Sequence, residues 1–167
     1  MLNIYSLTSK YEIRKLTESD TDIVLELYQN NEKYFSYFGD IPTRDTVNED
    51  MYALPPNINK DNKYYFGLFD EDELMCVVDM IDGYPENETI YIGLFMLDKS
   101  LQHKGIGTTI ISDFIVDLRK QGFKCIKLAY INDSDEASNF WHKIGFIKSG
   151  KVNTLKNVNI TELERKL

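Results

Sequence analysis

The sequence predicts an α/β (α+β) fold: a mixed, mostly antiparallel twisted sheet of six to seven strands with helices on both faces. Three observations carry that prediction. Short apolar or alternating runs of strand length follow one another with only turns between them, as hairpins do. Two segments with helical spacing stand between later strands, where they must cross over the sheet. A length of 167 residues with 43% hydrophobic and 13% aromatic content suffices for one domain with a substantial core, so residues 1–167 are read as a single unit.

Taken in order, the first ten residues carry no period and read as a loose arm. Tyr11 to Leu16 alternates as a strand, and Ser19-Asp20 opens a helix with Ile23, Val24, Leu27 and Tyr28 on one face. From Asn31 to Asn62 the pattern breaks into an aromatic stretch, Gly39, a short helix that Thr43 can cap, and the turn Leu54-Pro55-Pro56; this region reads as a second helix between mobile loops. Lys63 to Phe69 and Leu74 to Ile81 form a hairpin around the acidic turn Asp70-Glu71-Asp72-Glu73. Asp82-Gly83-Tyr84-Pro85 then turns the chain into the strand Thr89 to Leu97. A helix beginning near Thr109 and ending near Gly122 leads to the strand Lys124 to Ile131. Ser134 caps a helix running to Ile144, with Asp135 and Glu136 suited to its first turn and Gly145 to its left-handed end. Strands around Phe146 to Val152 and Val158 to Leu163 close the chain.

Composition excludes several functions. A net charge of -8 argues against nonspecific nucleic-acid binding, which needs clustered Lys and Arg to neutralise phosphates. No apolar stretch approaches the roughly 20 residues that span a bilayer, so no membrane partner is expected. Cys76 and Cys125 lie far apart in apolar runs and no secretion signal opens the chain, which fits a cytoplasmic setting. Asn87-Glu88-Thr89 and Asn132-Asp133-Ser134 match the glycosylation sequon, but in that setting they are turn and capping residues.

The most informative stretch is Gln102-His103-Lys104-Gly105-Ile106-Gly107-Thr108, which joins an apolar strand to a helix N-terminus. There the first-turn N–H groups lack intrahelical partners and the helix dipole favours negative charge, so glycines let the backbone close on phosphate oxygens. Neither GxxxxGK[ST] nor GxGxxG is present. Gln-x-x-Gly-x-Gly opening a helix resembles the pyrophosphate loop of the GNAT N-acetyltransferase superfamily. The later segment Ala137-Ser138-Asn139-Phe140-Trp141-His142-Lys143-Ile144-Gly145-Phe146 is similar to that family's closing helix, and the two motifs stand in the family's order.

The resemblance covers nearly the whole chain. It implies acetyl-coenzyme A as cosubstrate, an amine acceptor, no metal, and a central strand pair, around Leu94 to Leu97 and Lys127 to Ile131, that splays to admit the pantetheine arm. It places the pyrophosphate on the N–H groups of His103, Gly105, Gly107 and Thr108, with Gln102 and Ile106 in the same loop and Lys104 adding charge. Backbone groups of Phe95 and Leu97 would pair with the pantetheine amides. Ser134 stands where many relatives carry Asn, and Asn132 and Asn139 are its substitutes by proximity. Edge strands near the C-terminus pair in relatives, which makes a homodimer an expectation.

Catalytic residues are read against the same template. Trp141 falls where many members place a Tyr that protonates the leaving thiolate, and an indole N–H does not give up its proton. The thiolate leaves without an acid, or Tyr130 or His142 serves, or the chain is not competent; the first reading is preferred because a thiolate of pKa near about 8.5 is a fair leaving group. No acid stands within Ile90 to Leu97, so the general base is sought on the preceding strand: Asp79 first, then Asp82 and Glu88. Tyr34, Tyr37 and Phe38 are expected to wall the acceptor site, with Asp82 beside it. The function so read is acetyl transfer to a primary amine; the alternatives are a non-catalytic acyl-coenzyme A sensor and an interaction module.

Overall fold

In this computed structural model, which describes residues 1–167 with the side chain of Lys151 excepted, seven strands form one sheet. They are β1 (Glu12–Lys15), β2 (Lys63–Asp70), β3 (Glu73–Asp82), β4 (Thr89–Leu97), β5 (Cys125–Ile131), β6 (Ile147–Leu155) and β7 (Val158–Lys166). Their order across the sheet is β1-β2-β3-β4-β5-β7-β6. All neighbours are antiparallel except β4 and β5, which are parallel. A parallel pair needs a crossover, and α4 (Ile106–Lys120) supplies it. The remaining helices are α1 (Thr21–Asn30), α2 (Glu32–Ser36), α3 (Arg44–Tyr52) and α5 (Asp135–Lys143). No helix among the described residues is long and apolar enough to cross a membrane.

Strand alternation sends side chains to two separate cores. One side gathers Phe66, Leu68, Met80, Ile90, Ile126 and Leu128 beneath α4 and α5; the other gathers Tyr65, Phe69, Val77 and Met96 beneath α1 and α3. Helix α4 presents Ile110, Ile111, Phe114, Ile115 and Leu118 to the first core, a spacing that keeps all five on one stripe. Each such buried side chain contributes about 1.5–3 kcal/mol relative to exposure. Caps fix where helices begin: Thr43 Oγ1 accepts Thr46 N–H at 3.3 Å while Thr46 Oγ1 accepts Thr43 N–H at 3.1 Å, and Ser134 Oγ accepts Ala137 N–H at 3.2 Å.

Three expectations need correction. The first ten residues are not a loose arm: Leu2, Ile4 and Leu7 are buried in the α4 core. Ser6 Oγ donates to Asp117 at 2.8 Å, and Gln121 donates to the carbonyl of Asn3 at 2.9 Å. Three apolar residues at irregular spacing have no periodic signature, which is why the sequence hid them. Leu7→Ala should therefore cost roughly 2–5 kcal/mol in urea unfolding, whereas a loose arm would leave the midpoint unchanged. The aromatic stretch after Asn31 forms the short helix α2 ahead of α3. Helix α4 starts three residues earlier than Thr109, because Gly105, at φ 80°, takes the left-handed position that starts it at Ile106.

Candidate active site

The parallel pairing of β4 with β5 covers only Thr89↔Cys125 to Ile92↔Leu128, although β4 runs on to Leu97 and β5 to Ile131. Beyond Ile92 the two strands part, and a wedge opens in the middle of the sheet. A bulge helps to turn β4 away: Asp79 pairs with Leu94 and Met80 with Ile92, which leaves Gly93 as the extra residue. Gly93 is exposed and Leu94 and Phe95 are half-buried, in keeping with a missing neighbour strand.

The glycine-rich loop stands beside this wedge. The first α4 bond runs from Thr109 N–H to the Gly105 carbonyl at 3.1 Å, so the N–H groups of Ile106, Gly107 and Thr108 have no partner within the helix. Gly107 is there for closeness: a Cβ would lie 3.2 Å from the Phe140 ring and 3.6 Å from that of Phe95. His103 takes a left-handed φ of 60° and its Nε2 meets Glu136 at 3.0 Å; Glu136 also meets Lys33 at 3.4 Å. Lys104 is exposed. The Gln102 amide is held within the chain, donating to Asn31 Oδ1 at 2.7 Å and to the Leu97 carbonyl at 2.9 Å. Asn31 donates to the same carbonyl at 3.2 Å. Both lone pairs of the Leu97 oxygen are thereby engaged, so that oxygen is not open to a pantetheine amide, while Phe95 stands at the open part of β4.

Opposite the loop, on the α1–α3 side of the sheet, lies Asp79. Its Oδ1 accepts from Lys63 Nζ at 2.9 Å, in a pair whose side chains are only 14% and 6% exposed. Its Oδ2 reaches over Gly93, where a Cβ would come within 2.5 Å of it. Burial pushes the Asp79 carboxyl up to about 6, the Lys63 ammonium draws it down, and Asp50 adds to the rise. The surrounding polar groups form a short chain: Tyr28 Oη donates to Asp50 at 2.9 Å and lies 2.9 Å from Tyr65 Oη. Burial, more than their charged neighbours, lifts both phenols well above the ordinary tyrosine range, so they hold hydrogen bonds and stay protonated. Asp50 is raised by burial and drawn back by its bond to Tyr28 and by Lys63. A carboxyl that burial pushes up to about 6 and that reaches over the part of β4 lacking a neighbour strand is suited to accept a proton at neutral pH.

Tyr34, Tyr37 and Phe38 stand together on α2 and the turn after it. Tyr34 packs edge-on against Phe35 and Phe38, and Tyr37 Oη donates to the Asp133 carbonyl at 3.4 Å, which ties α2 to the β5–α5 turn. Asp82 does not join them. Its Oδ2 accepts Leu2 N–H at 2.9 Å, so it anchors the N-terminus on the α4 side. Trp141 is buried, with Phe95, Phe140 and Phe146 rings at 6.0, 4.8 and 5.1 Å, so its indole is an apolar wall. Tyr130 is buried beneath α5 and edge-on to His142 at 6.2 Å. Thus Tyr130 and Trp141 lie on the α4–α5 side and Asp79 on the other, with the wedge between them. Asn132 accepts Thr161 Oγ1 at 2.7 Å, Ser134 is occupied as a cap, and Asn139 is exposed. Sequence reasoning missed Lys63, Gly93, Asp50 and Asn31. An isolated glycine within an apolar strand was a signal for the bulge; nothing in the sequence pointed Lys63 inward.

Comparison with known proteins agrees with this geometry. The family model described as "Acetyltransferase (GNAT) family" matches residues 24–146. An uncharacterised N-acetyltransferase of Methanocaldococcus jannaschii is 25% identical over an alignment of 157 residues that covers 87% of this chain; the chain spans 64% of that relative's length. The crystal structure of an acetyltransferase from Thermus thermophilus superimposes with a TM-score of 0.76 at 21% identity, over 95% of this chain and 97% of the other. The PaiA N-acetyltransferase from Thermoplasma acidophilum, solved in complex with coenzyme A, gives 0.61 at 18% identity, over 94% and 99%. At these identities the two structures speak for the fold alone.

Proposed function

The chain belongs to the acetyltransferase (GNAT) family, and from that premise we propose that it transfers an acetyl group from acetyl-coenzyme A to a primary amine of a small molecule or peptide by direct attack. The observation that carries this reading is the wedge beyond Ile92 and Leu128, with a glycine-rich helix start on one side of the sheet and a largely buried carboxylate, Asp79, reaching over Gly93 on the other. The coenzyme A bound to a relative of the same fold supports the choice of cofactor.

In this reading the N–H groups of His103, Gly105, Ile106, Gly107 and Thr108 hold the pyrophosphate, and the pantetheine arm follows the open part of β4 past Phe95, against Phe140 and Trp141. The acceptor enters from the α2 side, past Tyr34, Tyr37 and Phe38. Its ammonium gives a proton to Asp79, directly or through water, and becomes nucleophilic. The amine nitrogen attacks the thioester carbonyl, the C–S bond breaks, and the amide nitrogen's surplus proton neutralises the thiolate. Asp79 then releases its proton to solvent, so one proton appears per acetyl group moved. No side chain need act as acid, which suits the burial of Trp141 among phenylalanines.

That same burial favours a second reading, an acyl-coenzyme A sensor that binds without transfer. Calorimetry with acetyl-coenzyme A followed by thiol release across a panel of primary amines tests the two: binding with release establishes the enzyme, and binding with no release leaves the sensor or an acceptor outside the panel. The loop assignment is tested by Gly105→Trp. No atom lies within 4 Å of a Cβ built there, so the fold accommodates the side chain at a cost of about 1–2 kcal/mol for left-handed backbone. Coenzyme A affinity should fall at least about tenfold, the equivalent of 1.4 kcal/mol; unchanged affinity would remove the loop from the site.

A further inference from the structure

We propose that Lys63 is a positioning residue for Asp79: its buried ammonium holds the carboxylate ionised and fixes it over Gly93, where β4 itself provides no acid. This rests on the transferase reading for its catalytic meaning, and on geometry for the rest. Asp79 belongs to β3, yet its Oδ2 occupies the space into which a side chain at position 93 of β4 would grow. Oδ1 is held by Lys63 at 2.9 Å, so the two oxygens have separate tasks, one anchored and one presented to the wedge. Among the described residues no donor meets Oδ2, and no buried side-chain oxygen lacks a partner, which leaves Oδ2 in reach of solvent and of an incoming amine.

The pair is costly to place, since two charges in a poorly hydrated site lose solvation that their attraction only partly returns. Hydrophobic residues would pack as well here: Tyr65 and Val77 are buried on the same side. A stability role alone therefore does not account for a lysine. The groups that face Asp79 are Lys63 and Tyr65 from β2, with Tyr28 from α1 and Asp50 from α3 joined to them through Tyr65. Lys63 is the cation among them, and it draws down both Asp79 and Asp50, the latter also drawn by Lys156. Remove the cation, and two neighbouring carboxyl groups in a buried site repel; Asp79 then keeps its proton into the neutral range and cannot take one from the acceptor.

The test uses Lys63→Met and Lys63→Arg in the full chain, with two readouts. The first is the pH profile of kcat/KM with an amine from the panel. The second is the NMR titration of the Asp79 side-chain carboxyl carbon, assigned by its disappearance in Asp79→Asn. In Lys63→Met the acid limb and the carbon midpoint should both rise by at least one pH unit, and kcat/KM near pH 7 should fall about twofold for a one-unit rise and about tenfold for a two-unit rise, yet recover at higher pH. Lys63→Arg, which restores the charge, should leave the midpoint within about half a unit. An unmoved midpoint in Lys63→Met, or a loss of rate equal at every pH, overturns the proposal and makes Lys63 a packing residue. If the methionine variant does not fold, Lys63→Gln removes the charge while keeping a hydrogen-bond donor and is judged by the same criteria. A wild-type protein that acetylates no amine defeats the transferase reading, and the carbon midpoint still decides whether Lys63 governs Asp79.

Discussion

Asp79→Asn should lower kcat/KM at pH 7 by roughly 10²–10⁴-fold while leaving acetyl-coenzyme A affinity unchanged, because it removes the proton acceptor and nothing on the cofactor side of the sheet. Asparagine is the appropriate replacement: its oxygen still accepts from Lys63 at the 2.9 Å site, so the ammonium is not stranded without a partner. The wild-type profile of kcat/KM should rise with pH through an acid limb near 6, the value to which burial brings the Asp79 carboxyl. In the variant that limb should disappear, leaving only the acceptor's own deprotonation. Stability follows the opposite course. A carboxyl whose folded value lies above its unfolded one, about 3.9, stabilises the fold when protonated. That contribution is fully present below about pH 4 and is lost as pH rises through 6. Urea midpoints of the wild type should therefore decline across that window, and less so in Asp79→Asn, with Asp50, also raised by burial, sustaining part of the slope. Activity that survives in Asp79→Asn with its acid limb intact would assign the base elsewhere.

Much of this site was legible in the sequence because main-chain geometry leaves traces there. The glycines at 105 and 107, the cap at Ser134 and the acids after it are local requirements of backbone, and each was found where expected. The strand Thr89 to Leu97 came from its apolar run and its parting from β5 from the family likeness, and the register supplies the cause, a bulge at Gly93. Side-chain partnerships across strands left no such trace. Lys63 reads as the polar start of a strand, and only its register opposite Ile81, two residues from Asp79 on β3, turns it inward. The partner of Asp82 was hidden in the same way: three residues from Asp79 in sequence, Asp82 faces the other side of the sheet and meets the N-terminus. The bonds of the Gln102 side chain were equally hidden, since Asn31, its partner, lies far away along the chain.

Gly93→Ala, a change of one methyl group, should reduce kcat/KM by about 10²-fold with almost no loss of fold. Gly93 has no left-handed φ among the backbone exceptions of the chain, so alanine is conformationally acceptable there. What it meets is Asp79: Oδ2 at 2.5 Å from the new Cβ, closer than nonbonded carbon and oxygen approach. The carboxylate is the movable partner, being the end of a side chain, and it must swing by about an ångström, the scale of misplacement that costs a catalytic group about 10²-fold. Swinging also strains the 2.9 Å contact to Lys63, so the methyl group disturbs both the presented oxygen and the anchored one. The decisive comparison is the double-mutant cycle. In an Asp79→Ala background there is no carboxylate to displace, and Gly93→Ala should then change kcat/KM by less than about twofold. Equal losses in both backgrounds would mean that position 93 acts on the wedge by itself, through the path of β4, and that the carboxylate over it is incidental to the reaction.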